Sequence, residues 1–191
     1  MIRDGKVHRL DCVEIDIELR DKMVTHIQRS IIHNLEAIKK FMQIPGYEDI
    51  CAGIYTYAVE EYGKILYLKS FCLSPAESNT IKFPYKMMGK EKGDTGFLNH
   101  YKKFKLALRE LPDNARTLVQ EGGGFLSSGF LPSGFITEKR IIADFEARKK
   151  IFFADFTQDR KSIEMPPQVN RNVLEKAVDT FLTHMKNEIS S

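Results

Sequence analysis

The sequence predicts an all-α fold, a single-domain helical bundle that spans residues 1–191 and contains a Gly/Phe-rich connector. Three observations support this prediction. Several segments repeat apolar residues at steps of three and four, the period of an amphipathic helix. Proline, glycine or a capping residue lies at the boundaries between these segments. The length suits one well-packed domain and is short for two.

The first two predicted helices form a hairpin. Residues 15–42 place one apolar face on a helix, made of Val24, Ile27, Ile31, Leu35, Ile38 and Met42. The pair Pro45 and Gly46 ends that segment. Asp49 is the predicted cap of a second helix, which runs to about Cys72, just before a Ser-Pro pair.

The middle of the chain predicts a loop and two shorter helices. Residues 75–96 are polar and read as loop. Asp94 or Thr95 is the predicted N-cap of a helix over residues 97–111. After a Pro-Asp pair, a short helix is predicted over residues 113–121.

The last third contains an unusual uncharged run at residues 122–137, "GGGFLSSGFLPSGFIT", in which Gly-Phe recurs every five residues. It is not a phosphate-binding loop of the Walker type, because no Gly-Lys-Ser/Thr follows. Exposed phenylalanines are costly, so an irregular connector with buried phenylalanines is favoured over a functional lid. Helices are predicted over residues 137–153 and 169–189.

Composition excludes several classes of protein. Charged residues are 29% and hydrophobic residues 42%, which is typical of a globular rather than a disordered chain. The net charge of +3 is too small to indicate a dedicated nucleic-acid binder. Three irregularly spaced cysteines (Cys12, Cys51 and Cys72) argue against a disulfide framework. No signal peptide or membrane span is apparent, so we expect a cytoplasmic protein without membrane partners.

Two adjacent glutamates lie in the middle of the second helix. Glu61 occupies an apolar position in a seam with steps of four and three residues, formed with Ile54, Ala58, Ile65 and Leu68. Glu60 lies about 100° around the helix and is predicted to be peripheral. Lys64 is four residues from Glu60 and three from Glu61, so either carboxylate can reach it.

A carboxylate on a packed face is costly unless a cation neutralises it. Glu61 therefore predicts a cation nearby, either Lys64 or a basic residue on a facing helix. From the residues alone, a buried ion pair that fixes the register of the bundle is favoured over a reactive site.

The stretch "NLEAIKKFMQIPGYEDICAGIYTYAVEEYGKILYL" resembles the abortive-infection family AbiV, within the HEPN superfamily of helical domains. Two further blocks fit the same order, an aromatic residue followed by His and Lys in "FLNHYKKFKL" and a basic residue before an aromatic-Asp element in "ARKKIFFADFTQDRKSIEMPPQ". The core of the resemblance covers residues 34–189. It implies that His100, Lys103 and Arg148 are candidate cations for Glu61.

The resemblance implies a HEPN-like phage-defence protein that binds a phage or host protein and arrests growth or translation, as a homodimer. An alternative is a metal-independent endoribonuclease, with His100, Glu61 and Lys64 as catalytic residues. In that case Lys103 and Arg148 would bind RNA phosphate, and Glu60 and Asp155 would support the polar centre. A third possibility is a structural or small-molecule-binding bundle. No cofactor or metal is expected, since the Glu-x-x-His repeats of di-iron bundles are absent.

Many HEPN ribonucleases carry an Arg followed, after four to six residues, by His. The spacings Arg3 to His8 and Arg20 to His26 match, but such matches are common by chance. Neither lies near the start of a late helix, where the superfamily places the motif. His26, Arg29 and His33 share one face of the first helix, for which a solvated or dimer surface is favoured over catalysis.

Overall fold

The computed structural model describes residues 10–70, 79–87, 97, 99–116, 155–156, 163–164 and 169–190. The described part is mostly helical, which confirms the predicted fold class. Its helices are α1 (Ile17–Phe41), α2 (Glu48–Ser70), α3 (His100–Glu110) and α4 (Arg171–Ser190). The Gly/Phe run and the helix predicted over residues 137–153 lie outside the described residues.

Helices α1 and α2 form the predicted hairpin. The predicted apolar face of α1 is buried from Val24 to Ile38, and Met42 just after the helix is buried as well. Gly46 adopts φ 86° in the turn between the helices, a left-handed conformation that favours glycine.

Helix α2 is the central element, because it contacts α1, α3 and α4. Of its 23 residues, 14 are buried, so it has no broad solvent face. This differs from the single apolar seam that the sequence predicts. The difference matters for the adjacent glutamates, because both sides of α2 are packed.

Four short strands, in two pairs, were not predicted. Strand β1 (Leu10–Asp16) pairs antiparallel with β2 (Thr80–Met87), in the stretch expected to be loop. Apolar residues alternate with charged ones over residues 13–16 of β1 and 81–83 of β2, and Val13 lies opposite Phe83. This period of two is the signal for a half-buried strand. A second pair joins β3 (Asp155–Phe156) to β4 (Ile163–Glu164).

The start of α3 is set by Asn99, whose side chain accepts a hydrogen bond from the backbone N–H of Lys102 at 3.0 Å. The predicted caps, Asp94 and Thr95, are therefore wrong. Where a short helix is predicted over residues 113–121, the described residues form a 3-10 turn at Asp113–Ala115, and residues 117–121 lie outside the described part. The Tyr55 hydroxyl donates to the Ala115 carbonyl at 2.5 Å and ties this turn to α2.

Helices α2 and α3 approach each other most closely at Gly63. A Cβ atom placed on Gly63 would overlap the backbone carbonyl of Lys103 and would lie 2.9 Å from the Lys103 Cα. The obstacle is backbone, which cannot rotate away as a flexible side chain would. Gly63 is therefore the residue that allows α3 to lie directly on α2.

We predict that Gly63→Ala lowers the free energy of unfolding by about 1 to 3 kcal/mol, because the added methyl group overpacks the helix contact. In an unobstructed helix the same change would stabilise the protein by about 1 kcal/mol. Chemical denaturation followed by circular dichroism gives the sign of the change in unfolding free energy. A variant as stable as the wild type, or more stable, contradicts the close contact.

Candidate functional site

The structure brings five of the predicted site residues into one charged cluster between α2 and α3. We define the charged cluster as Glu60, Glu61, Lys64, His100 and Lys103. Both glutamates and Lys103 are buried, with exposed fractions of 4%, 6% and 2%. Arg148 lies outside the described residues, and Asp155 is described only as backbone in β3.

Glu60 is the centre of the charged cluster. Its Oε1 atom is hydrogen-bonded to Nδ1 of His100 and lies 3.4 Å from Nζ of Lys103. The prediction that Glu60 is peripheral is therefore wrong. The physical reason is that α2 is packed on several sides, so a residue rotated away from the α1 seam faces α3 instead of solvent.

Glu61 is buried, as its place in the seam predicts. Its partner is Lys64 on the same helix, through an ion pair between Nζ and Oε1. The basic residues from the facing helix are paired with Glu60 instead. Tyr57 lies one turn earlier on α2 and is half-exposed. Its partial burial raises the pKa of its hydroxyl, and the negative charge of Glu61 raises that pKa further.

Lys103 is the buried cation of the charged cluster. Burial lowers the pKa of its ammonium group, although the neighbouring Glu60 carboxylate acts in the opposite direction. The Nζ atom lies 5.5 Å from the centroid of the Phe97 ring, whose face favours a cation. Phe97 packs in turn against Tyr67 and Phe83. The predicted aromatic-His-Lys motif therefore places Phe97 and Lys103 in contact.

His100 is the one member of the charged cluster that is largely exposed, with 61% of its side chain accessible. A carboxylate accepts hydrogen bonds, so an ionised Glu60 fixes the tautomer with the proton on Nδ1. The Nε2 lone pair is then the basic site of the ring. A carboxylate that orients an accessible imidazole in this way is a common arrangement for acid–base chemistry.

The charges of the cluster balance internally. Two carboxylates face two ammonium groups, so the cluster is neutral when His100 is neutral. Lys103 faces Glu60 and Lys64 faces Glu61, which reduces the positive potential that a phosphate would need. Among the residues whose side chains are described, no three His, Cys, Asp or Glu residues are grouped to hold a metal ion.

A second polar cluster, which the sequence does not predict, joins α2 to α4. The Tyr62 hydroxyl lies 2.8 Å from Nε2 of His184 and donates to Oε1 of Glu188 at 2.8 Å. Nζ of Lys69 lies 3.3 Å from the other oxygen of Glu188. His184 and Glu188 are four residues apart on one helix, but nothing in their spacing identifies Tyr62 as the partner.

The pKa values of this α2–α4 cluster follow from its contacts. Burial, and then the hydrogen bond to Glu188, raises the pKa of Tyr62, so the phenol stays protonated and donates. Burial alone would raise the pKa of Glu188. The hydrogen bond from Tyr62 and the charge of Lys69 outweigh it and hold that pKa below the ordinary 4.5.

The histidines of the first helix behave as their pattern predicts. His26, Arg29 and His33 are exposed on α1. Arg20 hydrogen-bonds to its neighbour Asp21, with Nε 2.8 Å from Oδ1. Arg20 and His26 are not members of the charged cluster, and Arg3 and His8 lie outside the described residues.

We predict that Glu60→Leu costs about 3 to 5 kcal/mol of unfolding free energy, because it leaves the Lys103 ammonium buried without a carboxylate. The double variant Glu60→Leu/Lys103→Met should recover most of that loss, since an apolar pair replaces the ion pair. His100→Ala, at an exposed side chain, is the control and should cost less than about 1 kcal/mol. Urea denaturation measures all three. A double variant that is no more stable than Glu60→Leu contradicts the assignment of Glu60 as the carboxylate that neutralises Lys103.

We predict that Glu188→Gln is less stable than the wild type by about 1 to 2 kcal/mol at pH 7, because it weakens a charge-assisted hydrogen bond. The folded-state pKa of Glu188 is depressed, so its contribution is present above pH 4.5 and is lost as the pH falls through the folded-state value. The difference in unfolding free energy between the wild type and Glu188→Gln should therefore disappear in acid. Glu36→Gln, at an exposed ion pair with Lys186, is the control with a small effect throughout. A free-energy difference that stays constant from pH 7 to pH 3 would refute the stabilising role of the Glu188 carboxylate.

No helix among the described residues is long and apolar enough to cross a membrane. Comparisons with models of known protein families, with curated proteins and with solved structures find no match for this chain. The resemblance to the AbiV family therefore stays a prediction based on the order of its motifs.

Proposed function

We propose that this chain is an abortive-infection protein of the AbiV type, with a HEPN-like fold. In this proposal it acts in the cytoplasm as a homodimer, binds a phage or host protein, and arrests growth or translation. The proposal is supported by the motif order of the sequence and by one surface feature, at the turn between α1 and α2.

That feature is a group of exposed apolar side chains, which we call the hairpin-tip surface. It consists of Phe41, Ile44, Tyr47 and Ile50, each 39% to 45% exposed. They are four of the seven large exposed apolar residues in the described part of the chain, yet they fall within ten positions. The rings of Phe41 and Tyr47 stack with centroids 6.2 Å apart. Clustered exposed aromatic and aliphatic groups are typical of protein-binding surfaces.

The charged cluster is consistent with a binding protein. Its lysines are neutralised by Glu60 and Glu61, so its main contribution is to hold α3 against α2. In this proposal the cluster keeps the bundle rigid and the hairpin-tip surface contacts the partner.

We predict that expression of the wild-type chain in a phage-sensitive bacterial host lowers the efficiency of plating of at least one lytic phage in a panel. Phe41→Ser/Tyr47→Ser should abolish the protection, because it removes the two stacked rings of the hairpin-tip surface, while circular dichroism remains that of the wild type.

Leu19→Ser/Ile189→Ser is the matched control, because both residues are exposed and lie away from the turn. This variant should protect fully. The absence of protection by the wild type against the whole panel counts against phage defence. Equal loss in both double variants counts against the hairpin-tip surface.

A second candidate function, the metal-independent endoribonuclease, is favoured by the Glu60–His100 hydrogen bond. It presents an accessible imidazole whose Nε2 is able to accept a proton from a ribose 2′-hydroxyl. In this candidate His100 is the base, and Glu60 is a positioning residue.

We predict for this candidate that pure protein cleaves total RNA in the presence of EDTA and that His100→Ala does not. Gel electrophoresis of the products measures the cleavage. Retained cleavage in His100→Ala indicates a contaminating nuclease, and intact RNA with the wild type rejects the candidate.

A further inference from the structure

The exposed apolar side chains of the described part of the chain concentrate on one surface, which extends from the hairpin tip along α2. Of the seven large exposed apolar residues, five fall between residues 41 and 57. The other two, Leu19 and Ile189, lie on α1 and α4. Four of the five form the hairpin-tip surface. The fifth, Tyr57, is 52% exposed and lies about two turns further along α2 than Ile50.

The part of this surface that runs along α2 is a narrow row of side chains, which we call the α2 stripe. It consists of Tyr47, Ile50, Ile54 and Tyr57. The carbonyl of Tyr47 accepts a hydrogen bond from the N–H of Cys51 at 2.9 Å, so Tyr47 takes part in the first turn of the helix. Steps of three, four and three residues place the stripe within about 80° on one side of the helix. Ile54 is half-buried, and the other three residues are 39% to 52% exposed.

The α2 stripe has the same order of side chains in both directions. From either end it is Tyr, Ile, Ile, Tyr, and its steps are symmetric about residue 52. If two copies pack antiparallel about a two-fold axis at residue 52, Tyr47 of each copy lies opposite Tyr57 of the other. In the same arrangement Ile50 lies opposite Ile54. A two-fold interface requires a surface that is complementary to itself in this way, and aromatic side chains are enriched at protein interfaces.

The charged residues of the same segment fit this arrangement. Between residues 47 and 57 they are Glu48 and Asp49. The two-fold axis places them in register with Thr56 and Tyr55 of the second copy, which carry no charge. Like charges therefore do not face each other along the α2 stripe, and its centre is apolar.

We propose that the α2 stripe binds a second copy of this chain, with the two α2 helices antiparallel about a two-fold axis at residue 52. The inference rests on the homodimer of the proposed function and assigns it a surface. Tyr47 and Ile50 belong to both surfaces, so the part of the hairpin-tip surface that stays open to a phage or host protein is Phe41 and Ile44. The stripe is only about 15 Å long. We therefore expect a reversible dimer with a dissociation constant of about 1 to 100 µM.

Sedimentation equilibrium of the pure protein from about 1 to 500 µM measures the dissociation constant. Tyr57→Ser should raise it about tenfold or more, because the change removes two aromatic side chains from each dimer. Ile50→Ser should act in the same direction. Leu19→Ser is the matched control, because it removes an apolar side chain of α1 that is 53% exposed, and it should leave the constant unchanged. Circular dichroism should show that all three variants are folded.

Disulfide crosslinking tests the register of the two helices. Chains with Tyr47→Cys and chains with Tyr57→Cys carry different tags and are mixed in a Cys12→Ser/Cys72→Ser background, and the remaining Cys51 is buried. The mixed crosslink should form several-fold more than either crosslink between identical chains. The reason is that positions 47 and 57 lie opposite each other, whereas two copies of position 57 are about 15 Å apart along the helices, too far for a disulfide.

A chain that stays monomeric up to about 500 µM overturns the proposal, and loss of phage protection in Tyr57→Ser would then assign the α2 stripe to the phage or host protein. Equal weakening by Tyr57→Ser and Leu19→Ser also overturns it, as do crosslinks between identical chains that are as abundant as the mixed one. Phage defence is tested separately, because the dimer is measured on pure protein. An intact dimer without protection would reject phage defence and leave the α2 stripe in place.

Discussion

The contact between the backbones of Gly63 and Lys103 is the constraint on which the rest of the site depends. Because the Lys103 carbonyl lies where a side chain of residue 63 would be, α3 packs directly on α2. The Lys103 side chain then begins inside the interface, and its ammonium group is buried. A buried ammonium requires a carboxylate nearby, which Glu60 supplies. The same carboxylate holds His100 at the surface.

This arrangement separates stability from recognition. Two carboxylates of the charged cluster face two ammonium groups, and both glutamates and Lys103 are buried, so the main energetic role of the cluster is to join α2 to α3. The α2–α4 cluster does the same for the last helix through Tyr62 and Glu188. The surfaces that remain chemically available are the hairpin-tip surface and the imidazole of His100. The proposed functions each use one of these surfaces.

The sequence predicts what depends on local periodicity. The helices, the burial of Glu61 and the closeness of His100 and Lys103 to the adjacent glutamates follow from spacing or from the family resemblance. The burial of Glu60 does not, because it depends on α2 being packed by α3 as well as α1. The β1–β2 pair is a contact between distant segments, and Tyr62 finds its partners on a helix more than a hundred residues later. Such contacts are set by tertiary packing, which a single helical pattern does not encode.

We infer that α2 and α3 form one cooperative unit joined at Gly63, Lys103 and Glu60. Native-state hydrogen exchange of the backbone amides measures it directly, because it gives a free energy of opening for each helix. We predict that amides in the middle of α3, such as those of Ala107 and Leu108, open with the same free energy as those of Tyr62 and Ile65 in α2. Opening of α3 at a free energy several kcal/mol below that of α2 would contradict it.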